Sequence, residues 1–125
     1  MVEEEADGQT VINQPAGHLE SGESLVAATI RETLEETAWR LTPTALTGIY
    51  RWRHPDKGIT FLRFCFTGEV DGHDPGRALD DGILGTHWLS REELAARQLR
   101  SPMVLRCVDD YLAGRRYPLE LCRDL

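Results

Sequence analysis

Five glutamates and one arginine lie within GHLESGESLVAATIRETLEETAW, residues 17–39. Carboxylates at helical spacing repel one another, so either water solvates them or a cation holds them. From Glu23 to about Thr37 the spacing predicts a helix, with Val26, Ile30, Thr33, Leu34 and Thr37 on one side. Glu32, Glu35 and Glu36 fall opposite the Val26/Ile30/Leu34 stripe. The expectation is a helix that buries one face and aims three carboxylates outward. A solvated face would interleave lysines, whereas here Arg31, four residues before Glu35, is the only basic partner. Clustered carboxylates open on one side suit a hard divalent cation such as Mg²⁺, which takes oxygen ligands and keeps several waters. The residues alone leave both readings standing, a cation site and a solvated acidic face.

The flanking segments must position this helix. Asp7-Gly8 predicts a turn leading into a short strand, TVIN. LTGIYRWRH and GITFLRFCFTGEV, rich in aromatic and β-branched residues, read as two strands joined around Pro55-Asp56-Lys57-Gly58. A polar loop, DGHDPGRALDDG, precedes a further strand, ILGTHWL. Ser90 to Glu93 forms a capping box that starts a helix. Ser101-Pro102 starts another, expected to end near Gly114. Strands, helix, strands and helices in that order predict an α+β fold, a mixed sheet packed between helices.

The chain has 125 residues, which is long enough for one domain, 1–125, with one core. With 41% hydrophobic and 28% charged residues it reads as globular. A net charge of −7 argues against a nucleic-acid surface, so an anionic substrate must be met locally by a few arginines or a metal. No apolar run is long enough for a membrane span. Cys65, Cys107 and Cys122 are scattered, with no C-x-x-C pair, which predicts reduced thiols and a cytoplasmic protein.

Gly17, five residues, Glu23, seven residues, then Arg31-Glu32-Thr33-Leu34-Glu35-Glu36 resembles the Nudix box, G-x5-E-x7-R-E-U-x-E-E-x-G-U. Thr33 stands where the pattern is usually aliphatic, and Ala38 replaces its final glycine, a change that matters only if that turn needs φ > 0. Beyond the box, NQPAGHLESGESL, FLRFCF, WLSREEL and LRSPMVLRCVDDYLAGRRYPLEL resemble the NudJ-like phosphatase branch of the Nudix hydrolases. The resemblance implies hydrolysis of phosphoanhydrides in nucleoside tri- and diphosphates with Mg²⁺, or with Mn²⁺ in its place. It also implies action on the pyrimidine pyrophosphate of thiamine synthesis. A non-catalytic Nudix-like module that binds metal or nucleotide is the alternative.

Carried over from that resemblance, Glu32 and Glu36 hold the metal together with a carbonyl of Ala16 or Gly17. Glu35 holds a second metal or orients water, and Glu23 pairs with Arg31 as a support. Glu32, Glu35 and, from the later loop, Asp81 or its neighbour Asp80 are the expected proton acceptors. Arg51, Arg53 and Arg63 could grip phosphate, Trp52 could stack a base, and His18 lies beside the loop. For the Arg51–Arg53 segment an edge strand with outward charges is an equal reading. The partners expected are a small nucleotide or pyrophosphate substrate and, at most, a second copy of the chain. The resemblance further implies one more strand ahead of Met1-Val2-Glu3, without which the sheet would expose an unpaired edge.

Overall fold

The computed structural model describes residues 1–125. Strand β1 (Val2–Ala6) turns through Asp7 (φ 52°) and Gly8 (φ 76°) into β2 (Gln9–Asn13). Two successive positive φ angles are what a two-residue hairpin turn demands, and Asp-Gly supplies them cheaply. Helix α1 (Leu25–Thr37) follows an eleven-residue loop, 14–24. The long hairpin β3 (Arg40–Arg53) and β4 (Thr60–Asp71) comes next, then β5 (Ile83–Thr86). Helices α2 (Arg91–Ala95) and α3 (Pro102–Leu112) and a 3-10 turn at Leu119–Leu121 complete the chain.

The α+β class holds, but the sheet is not a single mixed one. The strands form two antiparallel sheets, β2-β1-β5 and β3-β4, and the parallel component is a single bridge between Ile12 and Leu99. Hairpin links between successive strands, β1 to β2 and β3 to β4, favour antiparallel ladders. Strand β1 is paired on both sides, and the outer side of β3 is bridged only at Leu46–Tyr117. Both α1 and α3 pack on β3. Ile12, Leu94 and Val104 make a fully buried cluster where β2, α2 and α3 meet. No helix is long and apolar enough to cross a membrane.

Several boundaries differ from the sequence expectation for local reasons. Helix α1 starts at Leu25 because the Ser24 hydroxyl accepts the Ala27 N–H, which leaves Glu23 outside the helix. Strand β3 begins at Arg40, well before Leu46. Pro43 is tolerated there because it faces Gly68 at a register shift, where a Cβ on Gly68 would strike the Thr42 carbonyl. The Ser90 box forms as read, with Glu93 N–H on the Ser90 hydroxyl and the Glu93 carboxylate on Ser90 N–H. Ser101 caps α3, and Gly114 follows its end at φ 83°.

Candidate active site

The buried side of α1 comprises Ala28, Thr33, Glu36 and Thr37, while Ile30 is exposed. Its threonines need no outside partner. Thr29, Thr33 and Thr37 each donate to the carbonyl four residues back, at 3.0, 2.8 and 2.6 Å. A threonine at position 33 is therefore satisfied where the pattern expects an aliphatic residue. The helix ends on Ala38 in the left-handed region, φ 62° and ψ 15°, with its N–H on the Leu34 carbonyl. The turn does require positive φ, and alanine bears the strain that glycine would not.

Glu36 does not point outward. At 100° per residue it lies between Glu32 and Thr33, and the 14–24 loop closes over it at Ala16. It is 5% exposed, and its carboxylate accepts the Ala16 N–H at 3.0 Å. Burial, aided by the nearby charges of Glu4, Glu32 and Asp80, pushes its pKa up to about 7 against the pull of that hydrogen bond.

Glu32 and Glu35 stay at the surface of the cluster, joined by Arg31. Its guanidinium donates to Glu32 at 2.7 Å and Glu35 at 3.1 Å, and grips both oxygens of Glu23 at 2.7 and 3.0 Å. These contacts hold the Arg31 pKa above its ordinary value, chiefly through Glu23. Glu23 is held low, first by Arg31 and then by the Glu20 N–H. Arg31 also reaches the His18 carbonyl at 3.1 Å, so His18 enters the site by its backbone while its side chain is exposed. The loop is thus stapled to the helix. Gly17 sits against this staple, and a Cβ there would overlap the Glu32 carboxylate.

The loop 72–82 brings in a further acid. Asp80 N–H donates to the Glu35 carbonyl at 3.0 Å. One oxygen each from Glu32, Glu35 and Asp80 lie within 4.8 Å of one another. Asp81, the residue chosen from the sequence, is exposed and outside this group, whereas Asp80 is tied to α1 by its backbone bond to Glu35. A DD pair gives no sequence signal for which member faces the helix. Three convergent carboxylates beside a glycine cradle fit a hard divalent cation by donor chemistry.

The substrate-side expectations separate. Arg63, half-buried on β4, donates to Gln14 at 2.7 Å and Asn13 at 3.0 Å, and has no carboxylate partner. It therefore reaches the strand end from which the loop departs. Arg51 and Arg53 are exposed on β3, and neither forms an ion pair or hydrogen bond to the carboxylates. Trp52 already stacks on Phe61, with ring centroids 5.9 Å apart, and leans on His54.

The NUDIX domain family profile matches residues 1–107, which span the glycine loop, α1 and the Asp80 loop. This chain is a Nudix hydrolase. It is 43% identical over 125 residues to phosphatase NudJ of Escherichia coli K12, covering 99% of this chain and 81% of that protein, and the same holds for phosphatase NudJ of Shigella flexneri. A solved NUDIX hydrolase from Nitrosomonas europaea superposes with a TM-score of 0.96 at 47% identity, over 99% of this chain and 86% of that one. As a Nudix hydrolase the protein cleaves pyrophosphate linkages in small phosphate-containing molecules.

Proposed function

We propose that the protein is a cytoplasmic Mg²⁺-dependent phosphatase of nucleoside tri- and diphosphates, acting also on hydroxymethylpyrimidine pyrophosphate. The observation that carries this is the convergence of Glu32, Glu35 and Asp80 beside the Gly17 cradle, with Glu36 behind them. Glu32, Glu35 and Glu36, with a carbonyl of Ala16 or Gly17, would hold the cation. When bound, Mg²⁺, or Mn²⁺ in its place, neutralises the pyrophosphate chain and polarises phosphorus.

The chain's own groups do the rest. Arg31 aligns Glu32 and Glu35 through its guanidinium, and Glu23 fixes Arg31. Asp80 is the one acid of the cluster without an arginine or a hydrogen-bond donor on its side chain, and it is exposed to water. It is the group that accepts the proton of the attacking water. Arg63, a half-buried cation lacking an acidic partner, holds phosphate oxygens. The NudJ relatives are phosphatases by name, which supports release of orthophosphate rather than pyrophosphate.

The test is release of phosphate and pyrophosphate from a panel of nucleotides and hydroxymethylpyrimidine pyrophosphate with Mg²⁺. It compares wild type with Glu32→Gln and Asp80→Asn. Orthophosphate release that collapses in both variants is expected. No release from any substrate, or equal rates in all three proteins, would overturn the reading.

A further inference from the structure

Two of the three thiols lie together, away from the carboxylates. Cys65 on β4 and Cys107 on α3 both line a cavity of about 140 Å³, which Met1, Gln14 and Tyr111 help to enclose. The two thiols lie close enough that each shifts the other's titration. Cys107 is 2% exposed and Cys65 is half-buried, so the cavity is the way in. Arg63 and Tyr50 lie near Cys107, and Thr47 lies near Cys65. Cys122 does not line this cavity, and all three cysteines are free.

The environment divides the pair. Neighbouring Cys65, helped by the Arg63 charge, lowers the Cys107 thiol against the opposing effect of burial. Neighbouring Cys107 and burial push Cys65 up. The first proton lost from the pair therefore leaves its charge on Cys107, beside a cation, where a thiolate is nucleophilic.

We propose that Cys65 and Cys107 are a redox modification site, closing to a reversible disulfide with a hydroperoxide as oxidant. The Cys107 sulfur attacks one peroxide oxygen, and the O–O bond breaks. With hydrogen peroxide the leaving oxygen takes a proton and departs as water, and Cys107 becomes a sulfenic acid. Cys65 then gives up its proton and its sulfur attacks the Cys107 sulfur. The S–O bond breaks and a second water leaves. Two thiols lose two electrons in total, and one peroxide gains them. The new bond ties β4 to α3 next to Arg63, and a dithiol reductant reopens it.

The experiment treats the folded protein with equimolar hydrogen peroxide, blocks the remaining thiols, and maps the peptides by mass spectrometry before and after dithiothreitol. A Cys65–Cys107 cross-linked peptide is expected, with loss of two hydrogens, formed equally in Cys122→Ser and reversed by the reductant. The mapping is read on wild type, so it does not depend on whether a Cys107 variant folds. Three free thiols, a cross-link through Cys122, or stepwise oxygen addition to Cys107 without a cross-link would each overturn the proposal.

Discussion

Replacing Glu36 with glutamine keeps the side chain's shape and removes the only buried carboxylate of the fold. In the metal-free protein this should raise stability, and the gain should depend on pH. Burial and neighbouring acids lift the Glu36 pKa from 4.5 to about 7. The native state therefore holds the proton more tightly than the unfolded chain does. The associated stability is complete below pH 4.5 and is lost as pH rises through about 7. The full shift corresponds to roughly 3 kcal/mol, or on the order of 10 °C in Tm for a chain of this size. The assay is thermal unfolding of wild type and Glu36→Gln in a chelator, followed from about pH 5 to about pH 8. Asp7, Glu23, Asp109 and Asp110, whose pKa values are lowered by their partners, weaken both proteins alike in acid and cancel in the difference. The two melting temperatures should nearly coincide at the acid end and diverge toward neutrality, with the variant higher. A difference that stays flat across pH would refute the burial argument. Added Mg²⁺ should close the gap above neutral pH by raising wild type alone, because the cation replaces the proton.

Gly17→Ala places a Cβ in the space of the Glu32 carboxylate, so kcat should fall on the order of 10²-fold while Tm changes little, as read by steady-state kinetics and melting. Asp80→Asn should lower kcat by roughly 10²-fold or more, the usual contribution of a general base, whereas Asp81→Asn should leave it near wild type. Arg31→Lys loses the fork that joins Glu23, Glu32 and Glu35, and hydrolysis should drop by about tenfold or more. Ser101→Ala removes the hydroxyl that accepts Met103 N–H at the start of α3 and should cost about 1 kcal/mol in denaturant unfolding.

Local features were readable from the sequence because their physics is local. The Asp7-Gly8 turn, the Ser90 box, the Ser101-Pro102 start and the Arg31–Glu35 pairing each depend on residues within four positions of one another. Glu23 and Arg31 meet as the resemblance implied, although Glu23 stands before the helix rather than in its first turn. What escaped was set by chain returning from elsewhere. Helical periodicity places Glu36 among the outward acids, but it carries no knowledge of the Ala16–Gly17 loop that covers it. The choice between Asp80 and Asp81 depends on a turn whose register only the docked loop defines. The first six residues of β3 include Pro43, and the glycine that admits it lies on the partner strand. Cys65 and Cys107 belong to different elements, and nothing in their spacing signals contact.

The central claim is that Glu32, Glu35 and Glu36 hold one divalent cation beside Asp80. Titration of the purified protein with Mn²⁺, followed by water-proton relaxation, tests it most directly, because bound Mn²⁺ reports itself without any turnover. Saturable binding by wild type, competed by Mg²⁺ and largely lost in Glu32→Gln and Glu35→Gln, is the predicted result. Equal Mn²⁺ affinity in all three proteins would contradict the account.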